Sequence, residues 1–447
     1  MNKKTFYFTI LFIFVILLTQ IAGFTILTNI LKKPLNPTSK IIESSSTANV
    51  QWNSTWGGES DDKGYGIVFD GSDNIYITGY TGSYGEGSND VFIACYSPSG
   101  IRQWNYTWGG GDNDVGLAMT IGESGNFYIT GYTRSFGQGG NDAFIVCYNS
   151  LGTQQWNITW GGGLNDQGYD IILDQSGNIY LVGATYSFGA GIWDAFIACF
   201  NSSGTHQWNA TWGGGNTDNG YGIALDENNN VYIVGNTRSF GEGESDVFIA
   251  CYNSSGNQQW NSTWGGDNSD VANEIIYDGS NNIYITGRTE SFGNGGEDVL
   301  ILCYDLSGTR QWNTTWGDEY DNRGRAVCID DSNNLYITGY TNTSVPEGNN
   351  ALIACFNSLG TYQWDYTWGG QNDDQGITIS KGTSEDFYIT GYTKSFGAGE
   401  YDAFIVSYKH QSNVQTPNPS VPGYHSIIII SICVIMIIGI LIDKRKI

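Results

Sequence analysis

The chain is poor in histidine, the residue that enzymes use most often for proton transfer. Its 447 residues include three histidines, His206, His410 and His425, and none of them recurs at a regular spacing. We find no Ser-His-Asp arrangement, no phosphate-binding loop and no spacing typical of metal ligands. The sequence therefore predicts a protein that is not an enzyme and needs no cofactor, with a secreted hydrolase as a remote alternative.

Basic residues are also scarce. Between residues 51 and 409, Lys and Arg number 11 and Asp and Glu number 42, which leaves a net charge of −31. Such a charge repels nucleic acid and anionic lipid headgroups, and it favours solubility, cations or basic partners. We therefore expect no nucleic acid among the partners of this chain.

Proline is rare, with 7 residues, whereas glycine reaches 62 and aromatic residues make up 14% of the chain. This mixture favours many short strands with tight turns, and it is too apolar for a disordered chain. The two ends differ from the middle, because residues 5–31 and 427–442 are uncharged apolar runs flanked by lysine or arginine. We expect each of these two runs to form a hydrophobic helix.

The tryptophans recur in pairs at an unvarying interval of 52 residues, as in "QWNSTWGG", "QWNYTWGG" and "QWNITWGG". Such a period is the mark of a repeat architecture. Seven repeats start at residues 51, 103, 155, 207, 259, 311 and 363.

Each repeat contains four strand-like runs, which in the first repeat read "QWNSTW", "GYGIVFD", "NIYITGYT" and "DVFIACY". Four short antiparallel strands per repeat are typical of a β-propeller blade. The "GYGIVFD" run suits the crowded innermost strand, and the "QWNxTW" run then becomes the outermost strand of the preceding blade. We predict an all-β, seven-bladed β-propeller of four-stranded antiparallel blades, closed by the N-terminal strand.

The repeat pattern "GYGIVFD…NIYITGYT…DVFIACY…G…W…WGG" resembles the seven-bladed β-propeller (SBBP) repeat of bacterial and archaeal surface proteins. This resemblance covers residues 51 to about 409 and implies the fold and an extracellular setting, but no single activity. The motif "PGY" before the C-terminal apolar run resembles archaeal sorting signals of the Pro-Gly-Phe type, with Tyr424 in place of Phe.

These patterns divide the chain into six parts. We assign 1–33 to a signal peptide or signal anchor, 34–50 to a linker, 51–409 to the propeller, 410–424 to a Pro-rich stalk, 425–443 to a transmembrane or sorting segment, and 444–447 to a basic cytoplasmic tail.

Cysteine occupies the same repeat position in six of the seven repeats. On a seven-fold ring equivalent third-strand positions lie roughly 13–15 Å apart, whereas a disulfide requires Cα atoms within about 7 Å. We therefore predict buried thiols that pack as small apolar side chains. The repeated cysteines are Cys95, Cys147, Cys199, Cys251, Cys303 and Cys355, while Cys328 lies in an inner strand and Cys433 in the C-terminal apolar run.

An aspartate recurs six residues after the second tryptophan. One hypothesis is that this aspartate binds to the backbone of its own turn, and the alternative is calcium, which prefers carboxylate and amide oxygens. The residues concerned are Asp62, Asp114, Asp166, Asp218, Asp270 and Asp374, with Asn322 at the sixth position.

Strand direction places these acidic loops on the same face as the "SFGxG" loops between the second and third strands. We expect this face to carry the binding surface, because loops that break a repeat are where binding residues gather. The candidates are Trp193, Tyr320, Arg323, Arg325 and Tyr401, and we expect a site near Trp193 and Tyr320 that binds an extracellular glycan or protein.

The outermost strand also carries Asn-x-Thr, an N-glycosylation acceptor. The acceptors in these strands are Asn53, Asn105, Asn157, Asn209, Asn261 and Asn313, and further acceptors are Asn201, Asn253 and Asn342. Together these patterns predict a membrane-anchored, glycosylated β-propeller at the cell surface that serves in binding or adhesion. The alternative is a passive structural component of the cell envelope.

Overall fold

A computed structural model describes residues 50–342, 348–383 and 386–409. In these residues 28 strands form seven separate four-stranded sheets, and no α-helix is present. Six sheets pair four consecutive strands in chain order, from the inner to the outer edge. The seventh sheet has the order β1-β28-β27-β26, so the N-terminal strand completes the last blade and closes the ring as predicted.

Every blade has an inner strand, a second strand, a third strand and an outer strand, and within each class the order runs from blade one to blade seven. The inner strands are β2 (Asp62–Phe69), β6 (Asp114–Ile121), β10 (Asp166–Leu173), β14 (Asp218–Leu225), β18 (Asp270–Tyr277), β22 (Asn322–Ile329) and β26 (Asp374–Lys381). The second strands are β3 (Ile75–Thr81), β7 (Phe127–Thr133), β11 (Ile179–Thr185), β15 (Val231–Thr237), β19 (Asn282–Thr289), β23 (Leu335–Asn342) and β27 (Phe387–Thr393).

The remaining two classes form the outer half of each blade. The third strands are β4 (Asp90–Tyr96), β8 (Asp142–Tyr148), β12 (Asp194–Phe200), β16 (Asp246–Tyr252), β20 (Asp298–Asp305), β24 (Asn349–Phe356) and β28 (Asp402–Tyr408). The outer strands are β5 (Arg102–Trp108), β9 (Gln154–Trp160), β13 (His206–Trp212), β17 (Gln258–Trp264), β21 (Arg310–Trp316), β25 (Tyr362–Trp368) and β1 (Val50–Trp56).

The hydrophobic core consists of seven clusters, each shared by two neighbouring blades. This arrangement explains why the strands are apolar on both faces, because each sheet is covered on both sides. The two tryptophans of a pair have different partners. Trp104 packs on Tyr76 of its own blade, with ring centroids 5.8 Å apart. Trp108 packs on Phe144 of the next blade at 4.6 Å.

Each inner strand has a β-bulge near its start, which the strand pattern of the sequence does not predict. In blade one Gly64 pairs with Gly79 and Gly66 pairs with Thr78, so Tyr65 is left without a partner in the ladder. A Cβ atom at Gly79 would lie 1.8 Å from the carbonyl oxygen of Lys63. The glycine in "YITGYT" is therefore required by the close approach of the bulged inner strand.

The described residues contain no helix that is both long and apolar enough to cross a membrane. The two predicted hydrophobic helices, the stalk and the tail fall on residues outside the described ranges. The seven cysteines in the described ranges are buried and free, which confirms the prediction of unpaired thiols.

Candidate functional site

The loops that precede the inner strands meet the loops between the second and third strands on one face of the ring, which we name the upper face. In blade one the Ser60 amide donates to Ser83 Oγ at 3.0 Å, and the Tyr84 hydroxyl donates to the Gly57 carbonyl at 3.0 Å. This contact confirms that the two loop sets share a face. The inner strands of neighbouring blades contact each other around the whole ring and so surround a central channel.

Four repeat positions line the upper end of this channel, and we name their residues the channel mouth. The second residue of each inner strand is Lys63, Val115, Gln167, Asn219, Val271, Arg323 or Gln375. The bulge position holds Tyr65, Leu117, Tyr169, Tyr221, Asn273, Arg325 and Ile377. The second-strand residues that pair with Lys63 and its equivalents are Tyr80, Tyr132, Ala184, Asn236, Arg288, Tyr340 and Tyr392. The position before the third strand holds Asn89, Asn141, Trp193, Ser245, Glu297, Asn349 and Tyr401.

The residue type at these four positions differs from blade to blade, whereas the core residues around them are nearly the same in every blade. Four of the 11 basic residues between 51 and 409 lie in the channel mouth, namely Lys63, Arg288, Arg323 and Arg325. The whole region carries a net charge of −31, so the charge of these residues is opposite in sign to that of the region. Residues that vary where a fold is otherwise uniform are candidates for binding.

Blades five and six meet at a cluster of charges. Glu297 Oε1 accepts a hydrogen bond from Arg323 Nη2 at 2.6 Å and lies 3.2 Å from Arg288 Nε. Burial and the nearby charge of Arg323 lower the pKa of Arg288, and Glu297 opposes this effect. The guanidinium of Arg323 also lies 5.5 Å from the ring centroid of Tyr340, within the range of a cation–π contact.

Arg325 occupies the bulge position of blade six. Burial raises the pKa of Tyr65, Tyr221, Tyr340 and Tyr392, and the positive charge of Arg325 opposes that rise in all four. These tyrosines belong to blades one, four, six and seven, so the charge of Arg325 acts on several blades around the ring. Within the described residues, the buried Nε atom of Arg325 has no hydrogen-bond partner.

Blades seven and one meet at an aromatic cluster around a lysine. Lys63 Nζ lies 4.4 Å from the ring centroid of Tyr392 and 4.2 Å from that of Tyr401. The two rings are 5.3 Å apart and nearly perpendicular. Burial lowers the pKa of Lys63, and the charge of Asp61 opposes this effect. The cluster presents a cation and two aromatic rings at the opening of the channel.

Two carboxylates lie on the inner strands at the position after the bulge. Asp170 Oδ2 accepts a hydrogen bond from the Ile223 amide of blade four at 3.1 Å, and Glu274 belongs to blade five. A Cβ atom at Gly222, between them, would lie 3.0 Å from the Glu274 Cα atom. Burial raises the pKa of Asp170 to about 7. Burial and the charge of Asp170 raise the pKa of Glu274.

The sequence model of the Beta-propeller repeat (SBBP) family matches residues 56–85 and 210–240. The chain is a β-propeller repeat protein. Among curated relatives, it is 24% identical over 143 residues to the Regulatory protein FlaEY of Caulobacter vibrioides, a match that covers 27% of this chain and 15% of the relative. It is 23% identical over 401 residues to an uncharacterized WD repeat-containing protein of Acanthamoeba polyphaga mimivirus, covering 67% of this chain and 28% of the relative. The chain thus spans less than a third of the length of either relative.

Solved structures with similar coordinates include the WD40 domain of Neurospora crassa Pan2, at a TM-score of 0.49 and 8% identity. That alignment covers 78% of this β-propeller repeat protein and 90% of the Pan2 chain. Polysaccharide lyase Uly1 aligns at a TM-score of 0.47 and 10% identity, over 83% of this chain and 94% of that chain.

Four of the five predicted binding residues lie in the channel mouth of this β-propeller repeat protein. Arg323 and Arg325 share one strand, and Tyr401 packs on Tyr392. Trp193 occupies the repeat position of Glu297 and Tyr401, and its ring stacks on Tyr186 at 5.6 Å. Tyr320 lies in the loop before blade six, where its carbonyl accepts from Asn322 Nδ2 at 2.8 Å. Trp193 and Tyr320 belong to blades three and six, so they do not form one cluster among the described residues.

Sequence reasoning missed Lys63, Arg288, Glu297, Tyr392 and Gln375. Gln375 Oε1 is buried and has no hydrogen-bond partner within the described ranges. An alignment of the seven repeats would have identified these positions, because they vary between hydrophobic, aromatic and charged residues while their neighbours are constant.

The six aspartates considered for calcium are fully buried and share one set of hydrogen bonds. Each accepts from a serine hydroxyl at 2.6–2.7 Å and from a glycine amide at 2.7–2.9 Å. In blade two, for example, Asp114 Oδ2 accepts from Ser135 and Gly110, and Thr133 donates to its other oxygen. No group of three or more His, Cys, Asp or Glu side chains suited to a metal occurs within the described ranges.

The glycosylation acceptors of the outer strands are all exposed at the rim of the ring, namely Asn53, Asn105, Asn157, Asn209, Asn261 and Asn313. Asn201, Asn253 and Asn342 are partly buried. Asn201 and Asn253 also use their side-chain oxygens to accept hydrogen bonds in their own turns.

Proposed function

We propose that this β-propeller repeat protein is a binding module, without enzymatic activity, whose ligand occupies the channel mouth. The observation that carries this proposal is the break in the repeat at the mouth, where cations and aromatic rings replace one another from blade to blade. Aromatic and arginine side chains dominate the energetics of most recognition surfaces. A passive structural component would not require such variation around one opening.

The cellular setting belongs to the same proposal. We infer that the module is held at the cell surface by its apolar termini and is N-glycosylated, with an extracellular glycan or protein as its partner. Support for this setting comes from the exposed Asn-x-Thr sites of the outer strands. Glycans at these sites would surround the ring at its rim and leave the channel mouth open.

A glycan and protein array probed with the full-length protein tests the proposal. The variant Tyr392→Ala/Tyr401→Ala removes two rings from the mouth, and Tyr106→Ala/Tyr362→Ala removes two exposed rings from the outer strands. We expect the mouth variant to lose the array ligand and the outer-strand variant to keep it, with both showing a cooperative thermal transition. Equal binding by both variants would place the ligand elsewhere, and the absence of any array ligand would favour the passive structural role.

A further inference from the structure

The channel mouth contains more positive than negative charge. Arg288 and Arg323 share the single carboxylate of Glu297, and Arg325 lies close enough for its charge to act on Arg288. Two guanidinium groups therefore contact one carboxylate, and the charge of a third acts on Arg288 from nearby. In a region with a net charge of −31, Glu290 and Asp321 also act on Arg288 and Arg323, respectively, through their charge, but among the described residues neither forms an ion pair with them.

Arg325 lacks an acceptor among the residues that the structure describes. No hydrogen bond or ion pair involves its guanidinium in the described part of the chain, and its Nε atom is buried. A guanidinium offers five donors in a planar fork that matches a carboxylate. An unpaired fork inside a narrow channel is a site that a ligand anion would complete.

The other residues of the channel mouth indicate which chemical group carries the ligand anion. The rings of Tyr65 and Tyr80 lie 6.0 Å apart beside the channel, and Tyr392 and Tyr401 lie on the adjoining blade. Gln375 Oε1 is a buried acceptor without a donor among the described residues. A sugar ring supplies an apolar face for tyrosine rings and hydroxyl donors for the amide oxygen.

The charge of the anion is also limited. Asp170 and Glu274 lie on the inner strands of blades three and five, and the region as a whole is strongly acidic. A phosphate monoester or a densely sulfated polymer carries more than one negative charge per unit, so this field repels it more strongly than a sugar unit with a single carboxylate.

We propose that the channel mouth binds a carboxylated sugar unit of a glycan, with Arg325 holding the carboxylate and the mouth tyrosines packing on the sugar ring. This inference rests on the proposed function and names the class of its ligand.

Titration calorimetry on the full-length protein tests this inference, with tetragalacturonate, tetrameric sialic acid and the methyl esters of both as probes. We expect at least one acid to bind about 10- to 100-fold more tightly than its ester, because the ester loses a charge-assisted pair. Arg325→Gln should lose this preference, and Arg325→Lys should retain part of it because the charge remains without the fork. Arg310→Gln, at an exposed outer-strand arginine, should bind like the wild type.

The possible results separate the ligand class from the site. If neither acid binds more tightly than its ester, or if Arg325→Gln keeps the preference while its thermal transition is normal, the inference is wrong. If tetraglutamate binds as tightly as the acidic sugars, a carboxylate alone suffices and the inference is also wrong. In each of these cases the array result with Tyr392→Ala/Tyr401→Ala still decides whether the mouth is a binding site.

Discussion

Glu297 of blade five accepts a hydrogen bond from Arg323 of blade six at 2.6 Å, so a single carboxylate joins two blades at the channel mouth. Its side chain is 9% exposed, and the same oxygen, Oε1, lies 3.2 Å from Arg288 Nε. Glu297 and Arg288 belong to one hairpin, whereas Arg323 belongs to the next blade. The pair therefore fixes the position of blade six at the site where the ligand is proposed to bind.

The first prediction concerns this pair. Glu297→Gln should destabilise the protein by about 1–3 kcal/mol, because two partly buried guanidinium groups lose their counter-charge. The control is Lys394→Ala, which breaks the exposed pair with Glu400, whose side chains are 40% and 70% exposed, and should leave stability unchanged. Urea unfolding measures both, and equal effects would mean that the buried position of Glu297 has no energetic consequence.

The second prediction concerns the repeated aspartate. Asp114→Ala should cost about 2–4 kcal/mol, because it leaves the hydroxyls of Thr133 and Ser135 and the amide of Gly110 without an acceptor. Asp114→Asn should cost less, since Asn322 occupies this position in blade six and accepts from Thr341 at 2.6 Å. Thermal unfolding distinguishes the two variants.

The same measurement addresses calcium. Because these carboxylates already accept hydrogen bonds from hydroxyl and amide groups, we expect excess calcium to leave the melting temperature of the chelated protein unchanged. A rise of several degrees that Asp114→Asn reduces would instead support calcium at these positions.

The third prediction concerns pH. The pKa of Asp170 is raised to about 7, so the folded state binds more protons than the unfolded state between about pH 4 and pH 7. The contribution of this group to stability is therefore fully present below about pH 4 and is lost as the pH rises through 7. Asp170→Asn should be more stable than the wild type at pH 8, by more than about 1 kcal/mol, and should have no advantage at pH 4.

Glu123→Gln serves as the control for this experiment, because it removes a carboxylate at an exposed position. Its stability should follow that of the wild type at both pH values. If Asp170→Asn is equally stable or less stable than the wild type at pH 8, the negative charge of Asp170 beside Glu274 does not destabilise the folded protein.

The fourth prediction concerns glycosylation. Asn157 is exposed on β9, and within the described residues its side chain makes no hydrogen bond. In a host that glycosylates secreted proteins, Asn157→Gln should lower the intact mass by one glycan and leave the melting temperature of the deglycosylated protein unchanged. The matched variant Asn53→Gln should behave in the same way, and an unmodified asparagine at both positions would contradict the proposed surface setting.

The repeat itself explains why the fold could be predicted from the sequence. The 52-residue spacing of the tryptophan pairs defines the blades, and the unpaired strand at Gln51 predicts the closure in which Asn53 pairs with Val406. Short β-branched runs between turn residues suffice to identify strands in this case. The geometry of the ring also predicted the free thiols correctly.

The channel mouth could be predicted only in part. Trp193, Arg323, Arg325 and Tyr401 were identified because they interrupt the repeat, but their neighbours were not. Lys63 and Tyr392 meet only because the first and last blades are adjacent after closure, and the bulge that turns Tyr65 towards the channel has no signal in the strand pattern. Contacts that depend on closure and on bulges are properties of the folded ring.

Hydrogen–deuterium exchange on the full-length protein, with and without the ligand selected on the array, tests most directly where the ligand binds. We predict that protection is concentrated in the segments 62–65, 323–325 and 392–401, which form the channel mouth. Protection confined to the outer strands or to the turns between inner and second strands would contradict a binding site at the channel mouth.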